Sequence, residues 1–238
     1  MPIRLDSVTD NLPHLQRVRT FTALVEQAGR LFHDVQHEEL LFRGQDALVL
    51  NDDGSHAVKP RLYRGGEVSL ETVKRLEHRI RALDHTIYLN RQYAWSNFGC
   101  EALFAHYERY DTRMLDCTHV LQVAASFAIP AQGTSMLRPA VVYALDVRGA
   151  TPKPKPGKLG RILVNATAGQ AALRPMRQAA WAIWQHQSEA RLVDFGGLVR
   201  AAFVIAPEDH ATFWDCTTPY PYSWLMESDD VAKALRRP

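Results

Sequence analysis

The chain has 238 residues, 46% of them hydrophobic, which is enough to bury a full core, and a single domain over 1–238 is the expectation. Its formal net charge of +2 is too small for the molecule-wide field that marks a nucleic-acid binder. Cys100, Cys117 and Cys216 form no CxxC pair and cannot all be disulfide-bonded, so no metal is expected and a reducing cytoplasm is the expected setting.

No run approaches the roughly 18 apolar residues of a membrane span, and Met1 to Asp6 opens no long apolar stretch, so no membrane contact is expected. From His14 to Val35, apolar residues at Leu15, Val18, Phe21, Leu24, Val25, Ala28, Leu31 and Phe32 follow a helical period, which predicts a packing helix. Glu39–Gln45 reads as a buried strand stopping at Gly44, with Arg43 at its mouth. An arginine there is costly unless it pairs with a carboxylate or faces a cleft. Asn51–Ser55 is a turn, and Lys59–Gly66 is a basic loop punctuated by Pro60 and two glycines.

Leu70, Val73, Leu76, Ile80, Leu83 and Ile87 predict a second helix from Ser69 to about Asn90, with Arg75, His78, Arg79 and Arg81 on a solvated basic face. A third, Ser96 to Tyr107, delivers His106 and Tyr107 to the stretch Ala105–Thr118. That stretch is dense in ionisable side chains, tyrosine and threonine, and its apolar residues are too sparse for a helix face. It reads either as a polar turn or as a substrate-binding loop. Val120–Ala128 is a short buried helix, which sets Asp116 and Thr118 at or near its N-terminus, where oxygens cap free N–H groups and anions are favoured.

The second half changes character. Pro139–Val147, Arg161–Val164, Ala179–Trp184 and Leu198–Ile205 are short, rich in branched or aromatic residues, and read as strands. Pro152–Lys158 between the first two is an extended basic loop. From Val147 to Ser188 there is no acidic residue, a local asymmetry suited either to a solvated loop or to a phosphate-rich ligand. A short helix at Pro207–Trp214, an aromatic loop at Pro219–Trp224 and a helix at Asp229–Arg236 complete the chain. Helices first and strands later predict an α+β fold, with a helical N-terminal half and a mixed or antiparallel sheet. GxxxxGK[ST], HExxH, GxGxxG and GxSxG are all absent, which disfavours P-loop, zincin, dinucleotide-fold and α/β-hydrolase chemistry.

Four segments, in order, resemble the FRG domain family. They are Phe42-Arg43-Gly44-Gln45; Pro60-Arg61-Leu62-Tyr63-Arg64-Gly65; the block Ala105–Thr118, similar to the family's QHYGxPTRLLDWT; and Arg174–Trp181, similar to RxxxQQGxF. Ala105, Glu108, Cys117 and Arg177-Gln178-Ala179 depart from that pattern, which makes this a divergent member. The motif order in turn resembles that of ADP-ribosyltransferases: an arginine on the first strand of the NAD site, a hydroxyl strand leading into a helix, then a Gln/Glu-x-Glu.

The resemblance implies a split sheet of that kind and NAD as a substrate. It implies cofactor-binding positions at Arg43, Gly44, His106, Tyr107 and Arg113, and catalytic positions at Gln178, Asp116 and Thr118. Arginine offers pyrophosphate a bidentate fork, and a hydroxyl can hold the ribose. The oxocarbenium-like state calls for a carboxylate, which the neutral Gln178 does not supply. Asp116 or Glu189 substitutes, orientation alone suffices, or the site binds without catalysis. The implied protein is a bacterial toxin or anti-phage effector that modifies nucleic acid or protein, with an antitoxin or immunity protein as partner. The alternatives are a non-catalytic nucleotide or nucleic-acid binding module using Lys153, Lys155, Lys158 and Arg161, and a hydrolase built on His106 and Asp116.

Overall fold

The computed structural model describes residues 14–36, 39–66, 68–86, 101–103, 105–107, 111–130, 138–164, 173–185 and 193–226. In chain order the elements are β1 (Leu15–Arg17), α1 (Phe21–Leu31), β2 (Leu40–Gln45), α2 (Leu70–Thr86), β3 (Leu115–Thr118), α3 (Leu121–Ala128), β4 (Ala140–Asp146), β5 (Leu159–Leu163), α4 (Leu173–Arg177), β6 (Ala180–Gln185), β7 (Val199–Ile205) and α5 (Tyr222–Leu225). The chain is mixed α/β, and its strands are mixed in direction. Among the described residues, the N-terminal half carries α1 and α2 together with the strands β1, β2 and β3. The chain divides into two compact units interleaved along the sequence. No helix among the described residues is long and apolar enough to cross a membrane.

The first unit comprises Met1–Val58, Thr118–Arg148 and Phe195–Trp224. Its strands run in the order β1-β7-β4-β2, with β1 parallel to β7 and the other pairs antiparallel. The helix expected over His14–Val35 is really a strand and a helix. Leu15 pairs with Ala202, and the helix starts after Thr20, whose hydroxyl accepts the Ala23 N–H at 3.1 Å. Leu15 and Val18 match a helical spacing, but ladder bonds to β7 and a capping threonine decide the boundary.

β2 is buried on both faces, which is why it reads as a continuous apolar run. Leu40 and Phe42 join Phe21, Leu24, Ala124, Ala128, Val142 and Phe203 in the core of this unit. α3 packs on β2 through a face rich in alanine, and a Cβ on Gly44 would overlap the Ala124 carbonyl. Only glycine lets helix and strand approach this closely. Of the helix expected at Pro207–Trp214, only a 3-10 turn at Pro207–Asp209 forms. Phe213 and Trp214 pack instead against Phe21, at ring distances of 6.2 and 5.0 Å. The last residues of the expected loop Pro219–Trp224 coil into α5, and Trp224 stacks on Tyr220.

The second unit comprises Lys59–Cys117, Gly149–Asp194 and Leu225–Pro238, with strand order β3-β6-β5. β5 and β6 form an antiparallel pair in which Gly160 faces Trp184, and the indole fills the space a Cβ would take. α2 buries Val73 and Leu76 and leaves Arg75, His78 and Arg79 exposed, as its period predicts, but Leu70, counted on the same apolar face, is exposed at the helix start. Residues 101–103 are helical and 105–106 form a turn. Cys100, Glu108, Arg109, Tyr110, Glu189 and the expected Asp229–Arg236 helix lie outside the described residues.

The stretch expected to be one loop, Ala105–Thr118, ends in β3, whose buried Leu115 and Cys117 alternate with a half-buried Asp116. Four residues are too few for that alternation to stand out in a sequence. α4 likewise escapes the period, and Pro175 is tolerated there because it falls in the first turn.

Candidate functional site

In the first unit, Arg43 sits on β2 directly opposite Tyr143 of β4 and is only 6% exposed. Residues paired in this way share a sheet face. The ring of His56 meets Tyr143 edge-on at 5.4 Å, so a guanidinium, a phenol and an imidazole are gathered on the face of β2 opposite α3. Thr118 pairs with Phe42, the neighbour of Arg43, and alternation therefore turns it to the other face. Its hydroxyl accepts the Val120 N–H at 3.0 Å at the entry to α3. Thr118 and Arg43 are thus close in the ladder but divided by the sheet. Asp116 is half-buried within β3, not at a helix N-terminus.

The second unit holds a different cluster. His106 Nδ1 lies 2.8 Å from Gln178 Oε1, and His106 Nε2 lies 3.1 Å from the Trp181 carbonyl. The Gln178 amide nitrogen donates to the Leu225 carbonyl at 3.0 Å, which fixes its oxygen toward the histidine. Both imidazole nitrogens therefore face acceptors; a neutral ring satisfies one of them and the imidazolium both. Beside them the buried Arg174 donates to the Met226 carbonyl at 2.6 Å and holds its guanidinium 5.0 Å from the centre of the Tyr107 ring. His106 and Gln178, 72 positions apart in the chain, do meet, and Tyr107 meets Arg174. They meet as an internally bonded cluster in which the Gln178 carboxamide is engaged at both ends.

Gln178 owes its position to the end of α4. Its N–H bonds back to the Arg174 carbonyl, and Ala179, whose N–H bonds to the Met176 carbonyl, has a φ of +45°. That left-handed conformation at a helix C-terminus is the usual place for glycine, and an alanine there is strained by roughly 1 kcal/mol. Ala179→Gly is therefore expected to raise the chemical-denaturation stability by about 0.5–1 kcal/mol, less the backbone entropy that glycine restores to the unfolded chain. A midpoint lowered by the full entropic cost of glycine, about 0.5–1 kcal/mol, would mean that the strain is absent.

Arg113 is placed elsewhere in the second unit. Its Nη2 and Nε bond to Glu101 at 2.7 and 3.1 Å, its backbone N–H donates to the same carboxylate at 2.6 Å, and its Nη1 reaches Glu77 at 3.0 Å. Burial alone would lower the guanidinium's pKa, but bonds and charge from Glu101, with Glu77 in support, raise it overall. Burial also pushes the neighbouring Tyr63 phenol above its ordinary value, with the Glu101 charge adding to the rise. A fork this fully occupied braces the 111–114 segment, which Thr112 ties further through a bond to the Met114 carbonyl. Glu101 and Glu77, the residues that set this geometry, carry no motif signal in the sequence. Their spacing from Arg113 crosses a loop and follows no period.

Among the described residues, no group of three or more His, Cys, Asp or Glu side chains is placed to hold a metal ion. No family model, curated protein or solved structure matches the chain.

Proposed function

We propose that the protein is an NAD-using, ADP-ribosyltransferase-like enzyme of the FRG type. The observation that carries this reading is Arg43: a permanent cation on the buried strand β2 of the first unit, beside Tyr143 and His56, next to a glycine that locks the strand onto α3. An arginine placed on a rigid strand is suited to gripping a pyrophosphate with its planar fork. Ala179 lends support from the second unit, because its left-handed backbone stands where the family's segment has glycine.

In the reaction so assigned, the bond between the nicotinamide nitrogen and ribose C1′ breaks. Nicotinamide leaves with the bonding pair, C1′ bonds to the acceptor's nucleophile, and that nucleophile's proton passes to solvent or a base. With glutamine at position 178, Asp116 of the family's central block is the carboxylate assigned to the transition-state charge.

Calorimetry with NAD, together with nicotinamide release and transfer of label from NAD to a lysate acceptor, tests the reading. Wild-type protein is expected to bind NAD and transfer the label. Arg43→Lys is expected to weaken NAD by at least about tenfold, or about 1.4 kcal/mol, because an ammonium lacks the fork. Its melting temperature should stay within a few degrees of wild type. No binding heat at millimolar NAD would overturn the proposal.

A further inference from the structure

The loop before β5 and the β5–β6 pair, all within the second unit, present charge of one sign. Lys153, Lys155 and Lys158 are exposed, and none has an acidic partner among the described residues. The sequence from Val147 to Ser188 contains no carboxylate that would neutralise them.

This loop is also held at both ends. The Thr151 N–H donates to the Leu159 carbonyl, the Arg161 N–H donates to the Thr151 carbonyl, and the Gln185 amide reaches the Gly157 carbonyl at 3.5 Å. Lys153 and Lys155 each precede a proline, which biases them to extended backbone, and two such residues span roughly 6 Å. The lysines therefore stand on a pre-organised rim, and less order has to be gained when a ligand binds. Two positions into β5, Arg161 lies over the half-exposed Trp181 ring, 5.7 Å from its centre. A row of free cations that leads to an arginine–indole stack combines the two elements that hold unpaired nucleotides: charge for phosphates and a flat face for a base.

We infer that this face binds single-stranded nucleic acid, with Lys153, Lys155 and Lys158 on phosphates and the Arg161–Trp181 stack receiving a base. The binding does not rest on the transferase reading, and measuring it requires no NAD. If both hold, nucleic acid is the acceptor that this face presents.

Fluorescence anisotropy with a labelled oligothymidine, run between about 50 and about 200 mM salt, tests the inference. Four cations on a single strand predict a loss of affinity of about fiftyfold over that range. Exchanging the three lysines for glutamine should lower the logarithmic salt slope by about 2, and Trp181→Leu should weaken binding about tenfold at every salt concentration. Melting curves confirm that the variants are folded. Three results would overturn the inference: no binding at low salt, equal binding of a duplex that is indifferent to Trp181→Leu, or displacement by polyglutamate as effective as by oligothymidine. The last would assign the face to an acidic protein instead.

Discussion

Glu101→Ala is expected to lower stability by about 3–5 kcal/mol, the cost of removing one partner from a buried ion pair. Glu101 is 0% exposed, and three groups of Arg113 depend on its carboxylate: Nη2, Nε and the backbone N–H. Truncating the glutamate leaves a largely buried guanidinium facing a void, with Glu77 among the partners that remain. Glu77 is 34% exposed, so water screens it and it recovers no more than about 1 kcal/mol. For a chain of this size the loss corresponds to a melting temperature lower by roughly 10 °C, readable by circular dichroism. Replacing both partners with methionine should recover much of the loss, since a matched apolar pair leaves no orphaned charge. A single variant that melts within a degree or two of wild type would show that the guanidinium finds another anchor.

Gly44→Ala comes next in size. The added methyl would occupy the position of the Ala124 carbonyl oxygen, so either α3 moves away from β2 or the strand bends. Neither backbone is a flexible side-chain end that can swing aside, and overpacking of this kind costs about 3 kcal/mol or more. Urea unfolding should show a lower midpoint with an unchanged slope. Because Gly44 adjoins Arg43, the variant should also bind NAD more weakly than its stability loss alone explains. Wild-type stability in Gly44→Ala would mean that the helix is not seated as closely as described.

Both sites lie where the sequence gives unequal warning. Gly44 follows a buried run and an arginine, and its role at the end of a strand is readable because Phe42-Arg43-Gly44 interrupts an otherwise apolar pattern. Glu101 is one carboxylate among many; nothing local separates it from a solvated glutamate. The same contrast holds for the cluster of the second unit. The sequence singles out His106, Tyr107 and Gln178 through resemblance, but not the Leu225 and Trp181 carbonyls that orient them. Backbone acceptors have no sequence signature, so a side chain's real partners stay hidden until the chain is folded.

What the sequence determined by itself is local and periodic. The apolar runs of β2, β4 and β7 are buried on both faces, the alanine-rich α3 and the amphipathic α2 keep their spacing, and Asn51–Ser55 turns as its composition requires. What only the tertiary structure decided is everything that depends on a distant partner. β1 is a strand because β7 offers its edge to Leu15–Arg17, and β3 is a strand because β6 lies beside it. Arg113 is braced by Glu101, and Thr118 faces away from Arg43. A short segment has too little propensity of its own to fix its conformation, so the hydrogen bonds and charges it meets across the fold choose for it.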